Sequence, residues 1–235
     1  AKGIDGPVVI EIANGTYNES PILSGIQGTN ATNTHTFRPA SGASVTINAT
    51  GSNYGFYIFN TPYVTLQNLT FTLTSSTNHG ILIDAASTHV NLTSCTVNNA
   101  GIDGIHIQAA SNSATLTSCT VNGAKGSGVY LANVSNTIIT GSTNISNVTS
   151  DSSGQDAAVW INSSPSTTVS NSTNLMGDYY VIYALSSNNL VLNNNTWNTR
   201  TTNQYYAFYL SSCANSQVTN NTLNSTHTTI GITDG

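Results

Sequence analysis

The chain has 235 residues, of which only 6% are charged, and four Lys or Arg against nine Asp or Glu leave a net charge of −5. A chain with so few basic residues offers no positive patch, so no nucleic acid and no membrane insertion is predicted. Thr, Asn and Ser supply 98 residues, whereas there are only five Pro and as many as eleven Tyr. This composition argues against a disordered chain and favours β structure.

The first predicted element is a strand, VVIEI at Val8–Ile12. Apolar runs along the chain are only a few residues long, which is too short to span a bilayer. A repeat becomes visible from Tyr54 onward. We therefore expect one domain, residues 1–235, in which residues 1–53 form the first coils and residues 54–235 form regular coils.

Three copies of the repeat align without gaps at a step of 24 residues, beginning at His79, Asp103 and Ser127, and the second residue of each copy is glycine. Within a copy the apolar residues are spaced by two, as at Ile81 and Ile83, which predicts short strands rather than helix. Three such strands make one coil of a β-solenoid, whose coils stack about 4.8 Å apart. Further copies begin at Tyr54, Ala157, Tyr179 and Tyr205.

The G-[IV]-x-[IL] strands and the V-x-L-x-x-[CTN]-x-V segments of these copies resemble the right-handed parallel β-helix repeat family, which has pectate-lyase-like architecture. The resemblance implies an all-β fold, a right-handed single-stranded parallel β-helix of about eight to nine coils of roughly 22–30 residues each. No stretch has the periodicity of a capping helix. Lyases, hydrolases, tail spikes and structural proteins share this fold, so the resemblance alone implies little about function.

An outward-facing stripe is predicted along the first strand of the copies, because every position there is apolar, aromatic or His. On so polar a chain, we expect another subunit, the insertion at Thr149–Gln155 or a stacked glycan to cover it. The predicted stripe consists of Tyr57, Leu82, His106, Tyr130, Trp160, Ile182 and Phe208.

Both ends of the solenoid are predicted to pair with further copies of the chain. The strand-like segments there carry no cluster of Lys, Pro or like charge, which are the usual devices that block strand pairing. Head-to-tail contacts of this kind build rings or filaments. The apolar residues of the two end segments are Val8, Val9, Ile10, Ile12, Ile230 and Ile232.

The three cysteines leave the disulfide state open. Cys95 and Cys119 occupy the same position in adjacent copies, within the Cα separation that a disulfide allows, although parallel side chains disfavour the bond. The alternative is two packed thiols. Cys213 has no cysteine partner in its column and is a candidate for pairing between molecules.

Fourteen Asn-x-Ser/Thr sequons and a polar, uncharged composition predict an extracellular glycoprotein of the cell surface or cell envelope. The composition and the sequon density resemble β-helix surface proteins of methanogenic archaea. The candidate glycosylation sites are Asn14, Asn18, Asn30, Asn48, Asn68, Asn91, Asn133, Asn144, Asn147, Asn162, Asn171, Asn194, Asn220 and Asn224.

A glycosidase needs at least two carboxylates close to the scissile bond, but the acidic residues here are spread over different coils and faces. The best constellation is His79, Asp103 and His106, with Lys125 nearby. His79 and Asp103 share a position on adjacent coils and form either an acid–base pair or an exposed pair at a turn. The exposed pair is the favoured interpretation. No catalytic residue, metal ligand or cofactor is therefore predicted, and the lyase and hydrolase motifs of the family are not matched.

The sequence thus predicts a non-enzymatic structural protein that self-assembles into a sheath, surface layer or filament, by end-to-end strand pairing and lateral contacts. The alternative is an extracellular carbohydrate-binding or polysaccharide-degrading β-helix module, with surface glycans as partners. Ice binding is disfavoured, because Thr65 and Thr115 are the only Thr that we predict in the outward column of the second strand.

Overall fold

A computed structural model describes residues 3–50, 53–75, 78–149, 156–198, 206–224 and 230–233. These residues form three parallel sheets of nine strands each, and none of them is helical. Consecutive strands fall in different sheets, so every third strand returns to the same sheet one coil further along. The predicted all-β parallel β-helix is therefore confirmed, and the described residues include no capping helix.

Each sheet stacks one strand from every coil, and most strands are only three to six residues long. Sheet 1 contains β1 (Val8–Ile12), β4 (His35–Pro39), β7 (Val64–Gln67), β10 (Asn91–Thr93), β13 (Thr115–Thr117), β16 (Ile138–Thr140), β19 (Thr168–Ser170), β22 (Val191–Asn193) and β25 (Gln217–Thr219). Sheet 2 contains β2 (Gly15–Tyr17), β5 (Val45–Ala49), β8 (Thr70–Leu73), β11 (Thr96–Asn98), β14 (Thr120–Asn122), β17 (Asn144–Ser146), β20 (Asn174–Leu175), β23 (Thr196–Asn198) and β26 (Thr222–Asn224). Sheet 3 contains β3 (Ile22–Ser24), β6 (Tyr54–Phe59), β9 (His79–Asp84), β12 (Ile105–Gln108), β15 (Val129–Ala132), β18 (Ala157–Asn162), β21 (Tyr180–Leu185), β24 (Tyr206–Ser211) and β27 (Ile230–Thr233).

The core is a stack of apolar side chains enclosed by the three sheets. In one coil, Leu92 of β10, Val97 of β11 and Ile107 of β12 are fully buried. Successive side chains of a strand point to opposite faces, so Thr96 and Asn98 on either side of Val97 face outward. Aliphatic residues therefore alternate with Thr or Asn along each strand, and this produces the period-two spacing in the sequence.

Asn and Ser are the commonest residues at the corners between strands where φ is positive. Asn68, Ser94 and Ser118 connect sheet 1 to sheet 2 in three successive coils, with φ of 54°, 52° and 54°. This left-handed region is costly for most residues, and short polar side chains, Asn above all, tolerate it best after Gly. Asn and Ser supply 19 of the 25 non-Gly residues with positive φ in the described part of the chain, so the corners account for part of their abundance.

A column of small residues allows sheet 3 to pack closely against sheet 2. A Cβ atom at Gly80 would collide with Val97 Cγ1 and with the carbonyl oxygen of Gly104 in the next coil. Only a residue without a side chain fits there. This explains why glycine is the second residue of each ungapped copy.

The register differs from the predicted stripe at two positions, Ile182 and Phe208. Both point inward: Ile182 is fully buried, and Phe208 packs edge to face on Trp197 with ring centroids 5.2 Å apart. The last two copies begin at Tyr180 and Tyr206, one residue later than predicted. A shift of one residue turns every side chain of a strand to the opposite face, which is why both assignments were wrong.

The outward column of sheet 1 contains a similar error. The second strand of each copy belongs to sheet 1, and the repeat alignment predicts Ile139 and Val169 in its outward column. Both are fully buried, and the preceding residues, Ile138 and Thr168, face outward instead. The column still mixes Thr with Ile, Val, Asn and Gln, so it does not form the continuous Thr array that ice binding would need.

The strands at the two ends of the stack do not belong to the same sheet. Because β1 lies in sheet 1 and β27 lies in sheet 3, an in-register stack of two copies would place β27 on β3 and β25 on β1. End-to-end pairing of copies of the chain stays a prediction. Val9, Ile230 and Ile232 are 51%, 52% and 65% exposed, whereas Val8, Ile10 and Ile12 are half-buried.

All three thiols are free, so Cys95 and Cys119 adopt the second of the two alternatives left open by the sequence, two packed thiols. Cys95 Sγ donates to Leu66 O at 3.3 Å, and Cys119 Sγ donates to Leu92 O at 3.4 Å. Burial raises the pKa of Cys95 to about 12 and that of Cys119 to about 11, which keeps both protonated and unreactive.

Cys213 occupies the position that Ser187 has one coil earlier. Its Sγ donates to Ser211 O at 3.2 Å, just as Ser187 Oγ donates to Leu185 O at 2.7 Å one coil earlier. It is half-buried. Pairing of Cys213 between molecules stays a prediction.

We expect His35 to make stability depend on pH. This residue of β4 is 7% exposed, and neither ring nitrogen has a hydrogen-bond partner among the described residues. Burial lowers its pKa below the ordinary 6.5, so the unfolded chain takes up a proton first and stability falls as pH drops below that value. His35→Leu should flatten this part of the pH profile and add about 1 kcal/mol to the free energy of unfolding.

The measurement is urea unfolding between pH 8 and pH 5 for the wild type and His35→Leu. The exposed His89→Leu is the control, since it changes a histidine without removing a buried one. Equal pH slopes for all three proteins would contradict the prediction.

Candidate functional site

The outward face of sheet 3 concentrates the aromatic residues of the chain. Sheet 2, by contrast, presents Thr70, Thr96 and Thr120 at equivalent positions of successive strands. In sheet 3, strand pairing aligns seven side chains in a single column, which we call the central column. The central column consists of Tyr57, Leu82, His106, Tyr130, Trp160, Tyr183 and Tyr209.

The rings of the central column contact one another from coil to coil between His106 and Tyr209. The ring centroids are 4.7 Å apart for His106 and Tyr130, 4.4 Å for Tyr130 and Trp160, 5.7 Å for Trp160 and Tyr183, and 5.4 Å for Tyr183 and Tyr209. Parallel strands set this spacing, because they place equivalent residues about 4.8 Å apart. The result is a continuous aromatic ladder across five coils.

The ladder is less exposed than the sequence predicts for an outward stripe. His106 is 8% exposed and Tyr183 is 9% exposed, while Tyr130 and Trp160 are half-buried. The Tyr130–Trp160 and Tyr183–Tyr209 pairs are face-to-face stacks, whereas the His106–Tyr130 and Trp160–Tyr183 pairs meet edge to face. Residues 150–155 of the insertion that we expect to cover the stripe lie outside the described residues, so that expectation stays untested.

Sequence reasoning missed Tyr183 and Tyr209. The signal was present as two tyrosine doublets, Tyr179–Tyr180 and Tyr205–Tyr206, each followed three residues later by the tyrosine of the central column. Tyr180 lies 4.5 Å from Tyr183, centroid to centroid, which widens the aromatic surface at this end.

Polar side chains flank the central column on the C-terminal side of four of the seven strands. Tyr57 donates its hydroxyl to Asp84 Oδ2 at 3.0 Å, and Asn162 Nδ2 donates to the Tyr130 hydroxyl at 3.4 Å. Burial, together with the bond to Asp84, raises the pKa of Tyr57 to about 12, so its hydroxyl stays a donor. Residues at the flanking position are Phe59, Asp84, Gln108, Ala132, Asn162, Leu185 and Ser211.

A buried polar cluster adjoins the aromatic ladder at its N-terminal end. His106 Nδ1 lies 2.9 Å from Asp103 Oδ2, and His79 Nδ1 lies 3.3 Å from the same oxygen. The other oxygen, Asp103 Oδ1, accepts the backbone N–H of Ser127 at 2.8 Å. Strand register brings these residues together, since Asp103 follows His79 by one coil and precedes His106 by three residues.

The cluster confirms that His79 and Asp103 are neighbours and corrects their environment. The sequence favours an exposed pair at a turn, but Asp103 is only 5% exposed. Burial alone would raise the pKa of Asp103, yet His106, which is hydrogen-bonded to the carboxylate, and the nearby His79 outweigh it and lower the pKa to about 2. Asp103 is therefore a carboxylate at neutral pH. Lys125, predicted nearby, is exposed.

The fourteen sequon asparagines all lie among the described residues, and none is buried. Eleven are exposed, and Asn48, Asn144 and Asn162 are half-buried. This placement is compatible with glycosylation, which stays a prediction. The described residues contain no helix that is long and apolar enough to cross a membrane.

Comparison with known proteins identifies the family. The sequence profile described as the right handed beta helix region matches residues 18–144 and 103–235. No curated protein sequence matches the chain significantly. A solved structure of the GH136 lacto-N-biosidase from Eubacterium ramulus is similar, with a TM-score of 0.64 and 9% identity over 96% of this chain and 52% of that chain.

The enzymatically active domain of tailspike protein 2 from bacteriophage CBA120 is also similar, with a TM-score of 0.57 and 15% identity over 93% of this chain and 41% of that chain. The chain spans about half, or less, of the length of these two proteins. Identities this low show a shared fold alone. Since the family profile matches well over half of the chain and the three parallel sheets have the expected architecture, the chain belongs to the right-handed β-helix family.

Proposed function

We propose that this chain binds extracellular carbohydrate along the outward face of sheet 3. The observation that carries the proposal is the aromatic ladder from His106 to Tyr209, with hydrogen-bonding side chains beside it. Sugars present apolar C–H surfaces next to hydroxyl groups. Aromatic rings pack on the first, and carboxylate or amide groups bind the second.

The arrangement of the ladder suits an extended ligand. Tyr130, Trp160, Tyr183 and Tyr209 lie on four successive strands of one sheet, so the contact surface is a line parallel to the solenoid axis. A polysaccharide chain lying along that line would contact several rings at once. The two similar structures support this assignment, because one is named a lacto-N-biosidase and the other a tailspike enzyme domain.

Binding fits the geometry of this face better than cleavage does. Asp103 is buried: its Oδ1 accepts from Ser127 N, and its Oδ2 lies 2.9 Å from His106 Nδ1. Asp84, the other carboxylate beside the ladder, accepts from Tyr57 and from the backbone N–H of Ala85. A glycosidase needs one carboxylic acid and a second free carboxylate at the scissile bond.

We expect Trp160→Ala to weaken carbohydrate binding at least tenfold, which corresponds to about 1.4 kcal/mol. Trp160 stacks on Tyr130 and contacts Tyr183, so its removal interrupts the ladder at its centre. The measurement is calorimetric titration with the oligosaccharide that gives the strongest signal on a glycan array. Tyr63→Asn is the control, because Tyr63 stacks on His89 away from sheet 3.

The expected pattern is loss of affinity in Trp160→Ala and wild-type affinity in Tyr63→Asn, with unchanged circular dichroism spectra for both. Equal affinities for the wild type and Trp160→Ala would place the binding surface elsewhere. A wild-type protein that binds nothing on arrays of bacterial, archaeal and host glycans would refute the proposal.

A second candidate function is self-assembly into a surface layer, sheath or filament with further copies of the chain. The observation that favours it is apolar exposure on the end strands, where Ile22, Ile230 and Ile232 are 56%, 52% and 65% exposed. Strands β3 and β27 each pair on one side only within the described residues. Such edges need a neighbour, and further coils of a longer chain would serve as well as a second copy.

Ile230→Lys is expected to abolish end-to-end association, because a charge on β27 would have to be buried against β3 of the next molecule. Light scattering and electron microscopy at increasing protein concentration would measure this. Thr233→Lys is the matched control, since Thr233 belongs to the same strand but faces outward. A wild-type chain that stays monomeric at high concentration would contradict self-assembly and leave carbohydrate binding unaffected.

Both candidate functions place the protein outside the cell. The low charge, the Thr- and Asn-rich outward faces and the accessible sequons support that location. Mass spectrometry of the protein from its native source tests it, because glycans on the sequon asparagines require passage through a glycosylating compartment.

A further inference from the structure

Three potential metal ligands converge on one point of sheet 3. His79 Nδ1 and His106 Nδ1 both face Asp103 Oδ2, at 3.3 Å and 2.9 Å. The contact at 3.3 Å lacks hydrogen-bond geometry, so His79 Nδ1 is buried without a hydrogen-bond partner among the described residues. A buried nitrogen that faces a carboxylate oxygen without bonding to it points to an additional group between them.

We propose that His79, Asp103 and His106 bind one divalent transition-metal ion, with zinc as the ion that fits best. Zinc bonds to imidazole nitrogen at about 2.0–2.1 Å and to carboxylate oxygen at about 2.0–2.2 Å. Two ligands at angles between 90° and 109° around such an ion are about 2.9–3.4 Å apart. The two nitrogen-to-oxygen distances of the cluster fall within this range.

The side chains are held in this arrangement by their surroundings. The Asp103 carboxylate is oriented by the backbone N–H of Ser127, which bonds to Oδ1 and leaves Oδ2 facing the histidines. The His106 ring packs edge to face against His79 and against Tyr130, with both pairs of ring centroids 4.7 Å apart. Outer contacts that fix ligand orientation in this way are typical of metal sites.

The ligand set selects the class of ion. Two imidazoles and one carboxylate suit zinc and its neighbours in the first transition row, whereas calcium and magnesium prefer oxygen ligands throughout. Three protein ligands leave at least one coordination position for water or another ligand.

Within the described residues, this is the one group of three or more His, Cys, Asp or Glu whose ligand atoms all lie within 4.8 Å of one another. The proposal does not depend on carbohydrate binding, because the three residues would bind the ion without a sugar. Metal binding and carbohydrate binding can therefore be disproved independently of each other.

The test is titration of the metal-free full chain, without a polyhistidine tag, with Zn²⁺ by calorimetry and with Co²⁺ by absorption spectroscopy. We expect one Zn²⁺ per chain and cobalt d–d bands of a four- or five-coordinate site, without the near-ultraviolet charge-transfer bands that thiolate ligands produce. His79→Gln should weaken Zn²⁺ binding at least tenfold. The exposed His89→Gln should leave it unchanged.

Zn²⁺ should also raise the melting temperature of the wild type and of His89→Gln, and have little effect on His79→Gln. This second readout keeps the test valid where a variant is less stable at the outset, since each protein is compared with itself. Absence of binding to the wild type would overturn the proposal. So would equal affinity in His79→Gln, weakening in His89→Gln alone, or a thiolate spectrum.

Discussion

Asp103→Ala is expected to lower the free energy of unfolding by about 3 kcal/mol, measured in the presence of a chelator. The substitution leaves the Ser127 N–H without its acceptor, and a buried donor without a partner costs about 1–3 kcal/mol. It also removes the carboxylate that faces His79 and His106, which adds to the loss. In a chain of this size, the corresponding fall in melting temperature is about 6–12 °C.

Asp103→Asn separates the two contributions. An amide oxygen can still accept from Ser127, but the negative charge between the histidines is gone. We expect about half the loss seen in Asp103→Ala. Asp5→Ala is the control, because Asp5 is exposed and its removal should change stability by less than about 0.5 kcal/mol.

Equal stability of Asp103→Ala and the wild type would show that the cluster is not buried as described. Equal losses in the alanine and asparagine variants would instead assign the whole effect to the charge. Chemical unfolding in urea, monitored by tryptophan fluorescence, distinguishes these outcomes.

Most of the fold could be predicted from the sequence because the solenoid repeats a local rule. The period-two spacing at Ile81 and Ile83 and the 24-residue step fix which residues stack, and the structure confirms this alignment for the three ungapped copies. Glycine at the second position of each copy has a physical cause as well, since Gly80 has no room for a side chain.

The predicted strand register was wrong where two registers fit the alternation of polar and apolar residues equally well. At Tyr179 and Tyr180, either tyrosine is an acceptable first residue of the strand, and the next positions, Ile182 and Tyr183, are both large and apolar. Alternation of polarity cannot choose between them. The choice is made by packing, because Ile182 fits the core beside Val159 whereas Tyr183 packs edge to face on Trp160 outside.

The residues of the candidate site could be predicted from the sequence, but their burial could not. Sequence alignment places His79 and Asp103 on adjacent coils, which the structure bears out. It cannot show that the rings of His106 and Tyr130 lie over the cluster, because ring packing depends on side-chain conformations that spacing does not reveal. Burial is the property that distinguishes this cluster from the exposed pair predicted from the sequence.

Trp197→Ala is expected to destabilise the protein by about 3–5 kcal/mol, the largest effect of any substitution considered. Trp197 lies on β23, is 2% exposed and packs edge to face on Phe208 of sheet 3. Its removal leaves a cavity that rigid parallel strands on both sides cannot close. Urea unfolding and the melting temperature measure the loss.

The two tryptophans of the chain allow effects on the core to be distinguished from effects on the outward face. Trp160 and Trp197 both belong to strands, but Trp160 points outward in the aromatic ladder, and Trp197 points inward. We therefore expect Trp160→Ala to reduce binding with a smaller change in stability, and Trp197→Ala to reduce stability while the folded fraction keeps its affinity. The opposite pattern would mean that the register of β18 or β23 is shifted by one residue, since only that exchange turns one face into the other.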